Sequence, residues 1–140
     1  MRLKDYRLNE ASRSYERGME FWGKPVTIRV VFDPEESGYQ TLEECISQVE
    51  KRLEWLRSNN DLVEQELVKL YPGWLDDEDD WEENPITEAE FVGRMALTGI
   101  NFLEDLSFYL CYDDGDVFWG HGILVSFTSD CHFTDAAIAG

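Results

Sequence analysis

Residues Ser107 to Phe127 read SFYLCYDDGDVFWGHGILVSF, the most informative stretch of the chain. Asp114-Gly115 lies between two runs of aromatic and β-branched residues. Asp-Gly in that setting is a strong hairpin signal, because a type I′ turn needs positive φ at both central positions. The stretch therefore predicts two antiparallel strands folded about Asp114-Gly115, the second running from Val117 to Phe127. Phe108 to Tyr112 is apolar at every position, which predicts a central strand covered on both faces.

Working outward, His132 to Ile138 is a further strand, and Leu97 to Leu103 precedes the hairpin, joined to it at Glu104-Asp105. Upstream, Thr87 and Glu90 form a capping box that opens a short helix carrying Phe91 and Met95 inward. In the first third, Tyr15, Arg17, Met19 and Phe21 alternate with Ser14, Glu16, Gly18 and Glu20, the period of a half-buried strand. Trp22 to Pro25 makes a tight turn into a strand over Val26 to Phe32, which Asp33-Pro34 ends. Residues 1–10 suggest an edge strand or an arm.

Thr41 and Glu44 form a second capping box. After it, Leu42, Cys45, Ile46, Val49, Leu53 and Leu56 recur at helical spacing on one stripe, with Glu43, Glu50, Lys51, Glu54 and Arg57 on the wet side. Ser58-Asn59-Asn60 breaks that helix and starts another over Asp61 to Leu70, stopped by Tyr71-Pro72-Gly73. Strands, then helices, then strands imply an α+β fold. The expected architecture is an antiparallel sheet of about five to seven strands with two to three helices packed on one face.

The chain has 140 residues, 43% hydrophobic and 14% aromatic, enough for a single domain over residues 1–140 with its own core. That domain comprises an N-terminal hairpin, central helices and a C-terminal β-meander. No apolar run is long enough to span a bilayer, and the N-terminus has no signal-peptide core. Three cysteines fit a cytoplasmic protein better than a secreted disulfide framework.

Charge is the compositional outlier: 12 Lys and Arg against 30 Asp and Glu give a net −18. Residues 1–69 hold 11 bases and 14 acids, whereas residues 70–140 hold one base, Arg94, and 16 acids. So anionic a surface repels nucleic acid and anionic membrane, and steers a basic protein partner inward. Seven of those acids fall in Asp76 to Glu83: Asp76, Asp77, Glu78, Asp79, Asp80, Glu82 and Glu83, interrupted by Trp81. Charge this dense predicts a surface loop, and an aromatic anchor within an acidic rim suits contact with a basic protein.

The C-terminal half resembles a bacterial family catalogued only as domain of unknown function 2262. The residues that carry the likeness are Trp74-Leu75, Thr87, Glu90-Phe91, the run Tyr112-Asp-Asp-Gly-Asp116 with Phe118-Trp-Gly-His121, Ile123, Val125, and Asp135 to Gly140. The resemblance implies bacterial origin and an α+β fold, and carries no chemistry with it.

His121 lies between two glycines in a bulky run. A ring hydrogen-bonded to a neighbouring loop is one reading, and a small-molecule or enzymatic pocket built from Trp119, His121, Asp116 and Trp22 is the other. Asp113, Asp114 and Asp116 do not follow the calcium-loop pattern, since Gly115 intrudes at the third position. Cys131, His132 and His121 lack zinc-ligand spacing. There is no nucleophile elbow, phosphate loop or dinucleotide fingerprint. These features point to a non-enzymatic acidic binding protein without metal or cofactor, of bacterial immunity type, that contacts a basic protein partner. The alternatives are the Trp119–His121 pocket and a structural module that self-associates through its sheet.

Overall fold

In a computed structural model the described residues are 5–11, 13–68, 93, 95–113 and 122–139. They form a seven-stranded sheet whose spatial order follows the chain: β1 (Arg7–Asn9), β2 (Ser14–Phe21), β3 (Lys24–Val30), β4 (Ala96–Phe102), β5 (Phe108–Asp113), β6 (Gly122–Phe127) and β7 (Phe133–Ala139). Between β3 and β4 come α1 (Pro34–Ser37), α2 (Leu42–Ser58) and α3 (Asn60–Val68). The fold is mixed α/β and rich in strand. Residues 1–4, where the sequence suggests part of an edge strand or arm, lie outside the described residues, and the strand itself is β1.

The sheet is mostly antiparallel, as the order of elements predicts, but not wholly so. Every neighbouring pair is antiparallel except β3 and β4, which run parallel with Thr27 opposite Gly99 and Val30 opposite Phe102. A parallel pair needs a long crossover, and the helical part of the chain supplies it.

The β2–β3 hairpin closes through Trp22 (φ 50°) and Gly23 (φ 81°), with Phe21 opposite Lys24. Two successive positive φ values make a type I′ turn, in which glycine is at ease and tryptophan is not. Trp22 is held there by an edge-on contact with Phe21 at 4.9 Å and by its indole N–H, which donates to the Arg57 carbonyl at 3.4 Å. Pro25 sits in β3 before the first pair with β4 at Thr27, so its missing N–H disturbs no ladder on that side.

Past β3, Asp33 accepts hydrogen bonds from the amides of Glu35 and Glu36, Pro34 opens α1, and Gly38 ends it in the left-handed region at φ 80°. Asp33-Pro34 thus both ends the strand, as the sequence predicts, and starts a short helix. At α2 the Thr41 hydroxyl accepts from the Glu44 amide at 3.2 Å, but the Glu44 carboxylate accepts from that same hydroxyl at 3.0 Å instead of reaching the Thr41 amide. The capping box is half-formed. The predicted stripe is sound: Cys45, Ile46, Val49, Leu53 and Leu56 are buried, and Leu42 packs against the core. The expected helix to Leu70 is described as far as Val68, and of the expected Thr87 helix only Gly93 and the buried Met95 are described.

The β5–β6 pair departs from its predicted register. A two-residue turn at Asp114-Gly115 would put Asp113 opposite Asp116 and Phe108 opposite His121; instead Asp113 pairs with Gly122 and Phe108 with Phe127. β6 thus begins at Gly122, and residues 114–121 lie outside the described residues. The observed register sets Ile123, Val125 and Phe127, all buried, across from Tyr112, Leu110 and Phe108, also buried. Sliding by an even number preserves which face each residue uses, and this choice fills the buried face with apolar side chains.

That register also aligns Phe102, Phe108, Phe127 and Phe133 in one row across four strands. Their ring centroids are 5.0, 5.2 and 6.1 Å apart in turn, and Trp55 of α2 meets Phe127 edge-on at 5.8 Å. Cross-strand aromatic pairs are a principal source of sheet cohesion. β5 is central as predicted, but Tyr109 and Cys111 are only half-buried while Phe108, Leu110 and Tyr112 are buried. Its unbroken apolar run therefore reflects one covered face and one half-covered face.

Two bulges bend the ladder, at Leu97/Gly99 and at Ser126/Phe127. At each the extra residue is a threonine whose hydroxyl donates to a carbonyl across the strand, Thr98 to Cys111 and Thr134 to Ser126, both at 3.1 Å. The acceptor that a bulge leaves exposed is satisfied by the residue that makes the bulge.

Candidate functional site

The face of the sheet opposite the buried row is where chemistry has access. Register places Arg7, Glu16, Arg29, Asn101, Tyr109, Ser126 and Asp135 side by side across all seven strands. At the β1–β3 end the row is ionic: Arg29 Nε meets Glu16 Oε2 at 2.9 Å, and Asn9 donates to the same oxygen at 3.2 Å. A broad, open depression of 640 Å³ lies there, lined by Arg7, Asn9, Glu16, Gly18 and Thr27 among others. Gly99 lies on the middle of this face opposite Thr27, where a Cβ would make only an ordinary contact with the Thr27 carbonyl at 3.4 Å.

Cys111 reaches this face, and its sulfur accepts a hydrogen bond from Asn101 Nδ2 at 3.3 Å. Burial nevertheless pushes its thiol above the ordinary range, against the lowering effects of Asn101 and Arg29. Cys45 and Cys131 are raised for the same reason, with Arg52 opposing. The thiolate is the nucleophile, so these three thiols are poor ones at neutral pH. All three cysteines are free.

On the buried side, Tyr6 donates its hydroxyl to Glu50 Oε2 at 2.6 Å, Arg17 lies over the Tyr6 ring at 5.8 Å, and Asp5 is 3.7 Å from Arg17 Nη1. Desolvation raises the Glu50 carboxyl above its ordinary value, an effect the Tyr6 hydrogen bond and Arg17 reduce without cancelling. Desolvation, together with Glu50, raises Tyr6 far above the usual phenol value. Helical spacing places Glu50 among the wet residues of α2. It is instead a half-buried strut between α2 and the first strands, and the long sequence separation left no signal for it.

Of the residues singled out from sequence, Asp76, Asp77, Glu78, Asp79, Asp80, Trp81, Glu82, Glu83, Asp116, Trp119 and His121 lie outside the described residues. Trp22 is described. Its indole is committed to the Arg57 carbonyl and the Phe21 ring, a task of turn and packing. Among the described residues no group of three or more His, Cys, Asp or Glu side chains is arranged to hold a metal ion, and no helix is long and apolar enough to cross a membrane.

Fold and surface together define a small, acid-rich α/β protein built on a sequentially ordered sheet. The profile of the uncharacterized proteins conserved in bacteria, domain of unknown function 2262, matches residues 2–138, and the chain belongs to that family. No curated protein and no solved structure matches it.

Proposed function

We propose that the protein is a non-enzymatic acidic binding protein of the bacterial cytoplasm, of immunity type, whose partner is a basic protein surface. The observation that carries this reading is the segregation of charge: residues 95–140 contain no Lys or Arg at all. Glu104, Asp105, Asp113, Asp130 and Asp135 are all exposed. An excess of exposed carboxylate of this kind steers a cationic partner toward the surface. Asp76 to Glu83, with Trp81 as anchor, would add register and buried area to the same contact.

The three raised thiols suit binding better than nucleophilic chemistry, and three free cysteines suit a reducing compartment. We read α2 and α3 as packed together on one face of the sheet, because their buried residues share a single cluster with the buried residues of β2 to β6. Among the described residues, that arrangement leaves the ionic face available for contact.

Replacing the seven acids of residues 76–83 by Asn and Gln tests the reading by pull-down of basic partners from the source cell at two ionic strengths. Capture by the unaltered protein should fall steeply with salt and vanish in the substituted protein. Capture that is indifferent to salt and to the substitutions would sink it.

A further inference from the structure

The sheet has two edges and they are treated differently. β1 is three residues long and carries Arg7 and Asn9 at its ends, a short, charged edge of the kind that discourages further pairing. β7 is seven residues long and contains one charge, Asp135, no proline and no lysine. Among the described residues no strand pairs with its outer edge. The bulge at Thr134 sits at its start, so Asp135 to Ala139 runs in unbroken register with Gly122 to Ser126.

An antiparallel ladder uses the backbone groups of alternate residues on each side. Among the described residues, the outer edge of β7 therefore presents a row of N–H and C=O groups that an extended chain can take up. We propose that this edge is a strand-addition site for an extended segment of a partner protein in which Lys or Arg alternates with β-branched residues. The inference rests on the reading of an acidic binding protein and names the backbone it uses.

The alternation follows from register. Phe133 and Ala136 pack toward the core, whereas Asp135 pairs with Ser126 on the ionic face. An added strand continues both faces, so its apolar residues extend the Phe133 side and its cations come beside Asp135. Asp130 in the preceding turn is exposed as well, and no Lys or Arg occurs anywhere beyond Arg94. A second copy of the chain is the less suitable occupant, because it would bring its own Asp135 to this edge and a further −18 of charge.

The probe is a peptide of alternating Lys and Val matched to the 7 residues of β7, with a Glu-for-Lys peptide as control. Amide hydrogen exchange and NMR shifts are followed on the full chain. The Lys peptide should slow exchange across 135–139, the Glu peptide should not, and affinity should fall about tenfold between about 50 and 200 mM salt. Asp135→Lys places a cation on the edge without altering the backbone and should weaken binding at least about tenfold. Ala137→Pro should do the same where its melting curve shows it folded, and Asp135→Lys decides the matter if it does not.

Shifts confined to other strands, equal binding by Asp135→Lys, or no slowing at peptide up to about 1 mM would overturn the proposal. So would a dimer whose β7 amides are already protected without peptide. The two readings fail separately. Salt-sensitive binding that ignores Asp135→Lys removes the edge and keeps the electrostatic contact; binding at β7 that is unchanged by salt and by amidation of residues 76–83 does the reverse.

Discussion

The sheet is one ladder held by two chemistries. Around β1–β3 polar groups meet in pairs: Arg29 with Glu16 at 2.9 Å, Asn9 with the same carboxylate, Tyr6 before β1 with Glu50 of α2 at 2.6 Å, and Arg17 with Asp5. In β4–β7 cohesion runs through Phe102, Phe108, Phe127 and Phe133. Sequence explains the division. Beyond Arg94 the chain has no Lys or Arg; Glu104, Asp105, Asp113, Asp130 and Asp135 stand at exposed positions, while the buried residues of that half are apolar. A charge is tolerable in water and expensive inside, and in the half without cations the buried row is built of rings, whereas β2 and β3 contribute Phe21, Val26, Ile28 and Val30 to the core.

The comparison breaks first at Phe127, whose ring touches those of Phe108, Phe133 and Trp55. Phe127→Ala should lower the free energy of unfolding by about 3–5 kcal/mol and the melting temperature by roughly 10 °C or more, read by denaturant and thermal unfolding. A loss below about 1 kcal/mol would mean that the aromatic row does not hold this half together. Phe127→Leu, which restores most of the volume, should recover the larger part of the loss.

How far this division could be read beforehand differs between local and distant pairings. The stripe of α2, the β2 alternation and the existence of β4 to β7 follow from periodicity, because each depends on neighbours within a few residues. The direction of β3 against β4 depends on where a long connection returns to the sheet, which no short window encodes. The β5–β6 register misled for a related reason. Asp114-Gly115 is a strong local signal, but the pairing of Phe108 with Phe127 in place of His121 is decided by what fills the core across several strands. Trp22 lay in a recognisable turn, yet its left-handed backbone became legible only with Arg57 and Phe21 around it. Glu50 read as a wet helix residue because its partner, Tyr6, is 44 residues away.

The second break is at that distant pair. Tyr6→Phe leaves the half-buried Glu50 carboxylate without its donor and should cost about 1–2 kcal/mol at neutral pH. The pH dependence carries the sharper information. The folded carboxyl of Glu50 is raised above its unfolded value, chiefly by desolvation, so the folded state binds the Glu50 proton more readily than the unfolded state does. The stability associated with that proton is complete below the ordinary glutamate value and is lost as pH rises through the folded value. Glu50→Gln should abolish this decline, giving a flatter profile above about pH 4. Tyr6→Phe should extend it to higher pH, since the hydrogen bond it removes is one that lowers Glu50. Identical profiles for the three proteins would show that the Tyr6–Glu50 contact contributes nothing to coupling α2 to the first strands.

The smallest effect belongs to the pair that looks most conspicuous. Arg29 and Glu16 meet at 2.9 Å on the open face, but their side chains retain 44% and 24% of their exposure. An ion pair this wet gains little over its separated, hydrated partners and is screened by salt. Arg29→Met, which keeps the stem over the sheet, should cost about 0–1 kcal/mol, and the difference from the unaltered protein should shrink further in high salt. Asn9 would still donate to Glu16, so the carboxylate is not stranded. A loss on the scale of Phe127→Ala would reverse the comparison: the first strands would then be held by the charges themselves, and the pairing of Arg29 with Glu16 would be a cause of the fold in that half. A small loss leaves the ionic face as a surface whose charges can exchange partners with little effect on stability, which a face used for contact requires.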